Sequence, residues 1–172
     1  MLYPTHIAAG AVAGALVVKL TAAPVKMWPV MIVAASVAAL LPDLDKKGSK
    51  ATRAVPGSGT VIGAVASHRG FMHSLAAIFL ISIGLALLPV IPRELCFAMV
   101  AGVISHPLVD TINPRGVQWL WPLKIKFSLA RILPWPFTFS TGSRIETLVL
   151  QPALWIAAVW LLAGNKFTAI IS

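Results

Sequence analysis

Five long apolar runs limit what this chain can fold into. They cover residues 3–20, 27–41, 72–91, 95–112 and 145–164. In hydrocarbon every backbone N–H and C=O needs a partner within the protein, so a spanning segment is a helix or part of a closed barrel. These runs are continuous rather than alternating, which selects helices. Composition agrees: 11% of the residues are charged, against roughly 25% in soluble domains. The 172 residues allow one domain. The expectation is an all-α integral membrane protein with a single membrane-embedded domain over residues 1–172. It is a compact bundle of about five transmembrane helices, with two long loops on one side and a short surface β-hairpin.

The first run lacks a basic segment before it and reads as a retained span rather than a signal peptide. Gly10 and Gly14 give it the small-xxx-small spacing that lets helices approach closely. The fifth run is interrupted by Gln151 and Pro152. The loop over residues 42–71 is rich in glycine and reads as irregular, with one short helix. The loop over residues 113–144 carries Trp119, Trp121 and Trp135, residues that favour the bilayer interface. Within it, Leu123-Lys124-Ile125-Lys126-Phe127 alternates as a short strand or hairpin does. Cys96 is alone, so no disulfide forms within the chain, and it reads as a packed core residue. No repeat or low-complexity tract is visible.

Charge sets the orientation. With five spans, the amino terminus and both long loops share one side. That side carries ten basic residues: Lys46, Lys47, Lys50, Arg53, Arg69, Arg115, Lys124, Lys126, Arg131 and Arg144. The other carries four: Lys19, Lys26, Arg93 and Lys166. The positive-inside rule places the long loops in the cytoplasm. The net charge of +9 is thereby explained by topology, and no nucleic-acid partner is expected.

The same side collects the chemistry. The four histidines and five acids total nine groups, and only Glu94 falls on the other side. His6 opens the first span; Asp43 and Asp45 follow the second. His68 and His73 precede the third, His106 and Asp110 close the fourth, and Glu146 opens the fifth. Imidazole and carboxylate are ligands for zinc and similar ions. His106 and Asp110 are spaced i, i+4, on one helix face. Eight candidates exceed the three or four ligands of one catalytic zinc, which points to as many as two ions and to phosphoester hydrolysis. Arg69 and Arg115 are placed to clamp an anionic oxygen, with Asn113 as a substrate contact.

Each piece also has an ordinary structural reading. His6 alone fits a hydrogen-bonded interfacial residue, and Asp43 with Asp45 fits a turn after Pro42. His106 with Asp110 fits a polar pair joining helices. Glu146 fits a first-turn charge favoured by the helix dipole, and the arginines fit pairing with lipid phosphates. Co-location, not any single motif, carries the inference.

The order of motifs resembles a known family. Pro42-Asp43-Leu44-Asp45 is followed by His68-Arg69-Gly70-Phe71-Met72-His73-Ser74 and by His106-Pro107-Leu108-Val109-Asp110-Thr111. Gly116, Trp121-Pro122 and Gly142-Ser143-Arg144-Ile145-Glu146 complete it. The series resembles the YdjM-like inner-membrane metal-dependent hydrolases, a family also described as LexA-binding. That family is remotely similar to the helical zinc-dependent phospholipase C and P1-nuclease group. The resemblance implies His6, Asp43, His68, His73, His106, Asp110 and Glu146 as metal-site residues. It also implies the inner membrane, and a LexA-type protein partner.

The expected function is therefore a metal-dependent hydrolase facing the cytoplasm, with zinc or a similar divalent ion. Arg69 stabilises charge, and Asp45 or Asp110 acts as general base. The substrate is a membrane lipid or another amphiphile bearing a phosphate. The alternatives are a metal-binding transporter, which needs polar groups through the membrane, and a non-catalytic regulatory scaffold.

Overall fold

The computed structural model describes residues 1–45, 70–133 and 138–171. Among them five α-helices form: α1 (Tyr3–Thr21), α2 (Trp28–Ala38), α3 (Leu75–Ala86), α4 (Arg93–Asp110) and α5 (Gln151–Ile171). No strand forms among the described residues, and the architecture is the expected all-α membrane bundle. Helix α1 is central. It packs on α2, α4 and α5; α2 also packs on α4, and α3 on α4.

Small residues fill the centre: Ala8, Ala11, Ala15, Ala35 and Ala98 are buried, while Leu16, Val33, Phe79, Ile156 and Trp160 point outward. A soluble protein rarely presents so much apolar surface, but lipid tails are as apolar as leucine, so packing of small residues holds such helices together. A Cβ built on Gly10 would stand 2.7 Å from the Ala35 carbonyl oxygen, and one on Gly102 only 2.1 Å from the same atom. A Cβ on Gly14 would stand 3.0 Å from Ala35 Cβ. Helix α2 thus meets both α1 and α4 at Ala35, with no room for a methyl group at either contact.

Three stretches are long and apolar enough to cross a membrane: Tyr3–Thr21, Val25–Leu44 and Glu146–Gly164. The second combines α2 with flanking 3-10 turns at Val25–Met27 and Leu41–Asp45. The other two apolar runs give helices that do not meet that standard. Helix α4 has 18 residues but includes Arg93, Glu94 and Asp110. Helix α3 has 12 residues, about 18 Å at 1.5 Å per residue. Its start is fixed by Ser74, whose hydroxyl accepts from the Ala77 N–H at 3.3 Å, leaving Phe71–His73 as a 3-10 turn outside it. Pro89 and Pro92 bar its continuation.

The fifth run is not broken where the sequence suggested. A π-helical turn at Glu146–Leu150 runs straight into α5, with the Gln151 N–H bonded to the Glu146 carbonyl. Pro152 lies just past this wider turn, and the irregular hydrogen bonding there lets the helix continue through it. The expected hairpin reduces to one antiparallel bridge: Val117 and Phe127 exchange both backbone hydrogen bonds at 2.8 Å. Pro122 lies between them and cannot donate to a longer ladder. This loop is tied to the bundle by Leu75 N–H to Trp119 O and Leu129 N–H to Thr111 O, both 2.9 Å. Cys96 is only partly buried.

Replacing Gly102 by alanine should therefore lower the thermal midpoint of the detergent-purified protein, with a loss on the order of 1–3 kcal/mol. Gly84→Ala, where a Cβ meets nothing within 4 Å, should be neutral or raise it, helix propensity alone favouring alanine by about 0.5–1 kcal/mol. Circular-dichroism melting of the two variants beside the parent reads the difference.

Candidate metal centre

The glycine contacts fix more than packing. One helical turn beyond Gly102 on α4 lies His106; one turn beyond Ala35 on α2 lies Ala39; one turn before Gly10 on α1 lies His6. The three therefore arrive at one level. Ala39 follows the last residue of α2, where carbonyls lose their helical partners. Pro42 has no N–H to offer, and the Asp43 N–H bonds Leu40 O instead. His106 Nδ1 lies 2.6 Å from the Ala39 carbonyl oxygen. A carbonyl only accepts, so Nδ1 carries a proton, and in the neutral ring Nε2 then holds the lone pair.

That lone pair faces a buried cluster. His106 Nε2 is 3.0 Å from His73 Nε2 and 3.9 Å from Asp110 Oδ2. His73 Nε2 is 3.8 Å from the same oxygen, and His6 Nε2 is 3.5 Å from Asp110 Oδ1. The Met1 amino group also pairs with Asp110 Oδ1. The His6 ring stacks on His106 at 3.6 Å and 7°, while His73 meets His106 edge-on at 4.7 Å and 76°. His6, His73, His106 and Asp110 are all buried. The start of α1, the end of α2, the start of α3 and the end of α4 thus converge at one end of the bundle.

The donor set fits a divalent cation. Two overlapping triads, His6–His106–Asp110 and Asp43–His73–His106, each place one ligand atom per residue within 4.8 Å of the others. Two nitrogens on one tetrahedral zinc, at the usual bond length, stand about 3.3 Å apart. The His73–His106 and His6–Asp110 separations of 3.0 and 3.5 Å bracket that value. His6 Nδ1 is buried with no hydrogen-bond partner among the described residues, which leaves that ring adaptable. The His106–Ala39 bond is the kind of contact that would orient this imidazole toward an ion.

The other expected site residues have different places. Glu146 joins neither triad. Its Oε1 accepts from the Leu2 N–H at 2.6 Å and the Thr5 hydroxyl at 2.7 Å, and its Oε2 accepts from the Gly142 N–H at 2.6 Å. Gln151 Nε2 donates to Thr5 Oγ1 at 2.9 Å. Glu146 thus clamps the start of α1, where orphan N–H groups favour a carboxylate. Asn113 is buried at the end of α4; its amide donates to Thr141 Oγ1 at 2.8 Å and accepts from the Arg115 N–H at 2.9 Å. Arg115 itself is exposed. His68 and Arg69 lie outside the described residues, as does the side chain of Asp45.

Sequence reasoning missed three contributors. Thr5 and Gln151 are polar groups inside apolar runs, and that is the signal by which they are found. The Ala39 carbonyl carries no side-chain signal at all.

If Glu146 is a clamp, Glu146→Gln should lower thermal stability, because its amide N–H turns toward a donor on one side. The folded fraction should still bind zinc with the stoichiometry of the parent. Melting and elemental analysis on the same preparation separate this from a ligand role, which would lose zinc.

The comparisons with known proteins agree with the membrane character. The Escherichia coli inner membrane protein YdjM is 32% identical over 138 residues, covering 78% of this chain and 67% of that protein. The Bacillus subtilis protein YvsG is 32% identical over 124 residues, covering 71% and 72%. The Escherichia coli inner membrane protein YbcI is 27% identical over 148 residues, covering 77% and 78%. No solved structure matches. None of these names carries an activity, a metal or a substrate. The family model described as YdjM inner membrane protein matches residues 1–170, and the chain belongs to that family.

Proposed function

We propose that this chain is a membrane-embedded, metal-dependent hydrolase acting on a phosphoester of a lipid or lipid-linked phosphate at the cytoplasmic face. The supporting observation is the burial of three histidines and a carboxylate around one point, with His106 held in a ligating tautomer by Ala39. Either His6, His106 and Asp110 or Asp43, His73 and His106 hold the ion. A bound divalent ion, zinc best suited to this donor set, supplies Lewis-acid activation of water and of the phosphoryl group. With Nδ1 on the Ala39 carbonyl, His106 can offer a metal only Nε2, so it serves one ion. A second would draw on residues beyond it, such as His68.

The remaining roles follow from position. Asp110 is committed to the histidines, so Asp45, two residues past Asp43, is the general base. Arg69, four residues before His73, takes up charge on the phosphate. Asn113 positions the exposed Arg115 by holding its backbone N–H, and Arg115 meets the headgroup. The ten basic residues on the site side favour the cytoplasmic orientation.

The test is turnover by zinc-loaded protein in nanodiscs, read as phosphate released from phosphatidic acid and headgroup released from phosphatidylglycerol. The parent should turn over one of them, and His106→Ala should not while still inserting into the bilayer. Equal turnover in both would contradict the reading. Zinc flux into proteoliposomes without hydrolysis would replace it with a transporter.

A further inference from the structure

A groove of about 430 Å³ is lined by residues that neighbour the candidate metal centre along the chain. Leu75, Leu108, Trp119, Leu120, Phe127 and Leu129 wall it. Its one polar side-chain oxygen, Thr111 Oγ1, donates to Pro107 O at 2.7 Å and accepts from Trp119 Nε1 at 3.0 Å. Nothing is left in the wall to orient a polar ligand, so the occupant is hydrocarbon. The position is specific. Leu108 lies between His106 and Asp110, Thr111 follows Asp110, and Leu75 is two residues past His73.

Two observations identify the hydrocarbon. Leu75 also begins an exposed apolar face of α3 that continues through Phe79, Leu80 and Ile83, so the groove opens onto surface that a membrane protein turns toward lipid. The loop closed by the Val117–Phe127 bridge also has a second, basic side. There Gln118, Trp121, Pro122, Lys124 and Lys126 line a pocket of about 300 Å³. An apolar slot and a cationic pocket on the two sides of one short loop match the two ends of an anionic phospholipid.

We propose that the groove seats one acyl chain of an anionic phospholipid, whose headgroup lies against Lys124 and Lys126. This is a lipid-binding site, and it stands or falls independently of the hydrolase reading.

The test uses phosphatidylglycerol carrying a diazirine at the chain end, at low density in phosphatidylcholine nanodiscs, with adducts mapped by mass spectrometry. Adducts at Leu108, Leu120 and Leu129 should exceed those at Phe79, which faces bulk lipid, severalfold. Lys124→Gln with Lys126→Gln should cut groove labelling by about twenty-five-fold, since each lysine at an anionic surface is worth about a factor of five. A phosphatidylcholine probe should not respond to that change. Leu120→Trp should empty the groove of adducts and leave Phe79 labelling intact. Groove labelling no denser than at Phe79 overturns the proposal, as it would if another part of the chain or a second copy filled the slot.

Labelling is read without turnover, in the parent and in His106→Ala. Dense groove labelling without hydrolysis rejects the hydrolase and keeps the groove. Hydrolysis without groove labelling rejects the groove alone.

Discussion

The contact on which the rest depends is backbone against backbone: Gly10 and Gly102 both pressed onto the carbonyl of Ala35. In lipid there is no hydrophobic drive between helices, so close van der Waals approach must hold them. Here that approach also sets register. Once Ala35 meets those glycines, the next turn carries His106 to the Ala39 carbonyl and His6 onto the His106 ring. Packing and chemistry are one geometric fact viewed a turn apart.

Two buried carboxylates sit at this end of the bundle with different work. Asp110 is surrounded by imidazole nitrogens and the Met1 amino group. Glu146 is surrounded by neutral N–H and O–H donors at the start of α1. A buried charge is tolerated only where partners replace its lost water. The partners differ, so the roles differ: the first carboxylate gathers three buried histidines, and the second fixes the helix that brings His6 to it.

Much of this was legible in the sequence. The apolar runs gave the five helices, because length and low charge leave a lipid-embedded backbone few other choices. The meeting of His6, His73, His106 and Asp110 fits their positions at the ends of the apolar runs. The close approach at Gly10 and Gly14 followed from their spacing. Other features were not legible, for physical reasons. The shortness of α3 depends on a cap at Ser74, which competes with a hydrophobic pattern running straight through it. The continuity past Pro152 depends on a π-turn that no periodicity announces. Glu146 was grouped with the ligands because a carboxylate's partner is a matter of three-dimensional neighbours. The Ala39 carbonyl belongs to every residue type equally and so leaves no mark in a sequence.

The central claim is that the buried histidines at this end of the bundle, His106 with His73 or His6, hold a divalent ion. Zinc K-edge X-ray absorption on the loaded, detergent-purified protein tests it most directly. The account predicts multiple-scattering features of two imidazoles, with Zn–N distances of about 2.0–2.1 Å, and loss of at least one imidazole in His106→Ala. Zinc that is not retained, or a first shell of oxygen alone, would contradict it and leave the histidines as a hydrogen-bonded clasp between helices.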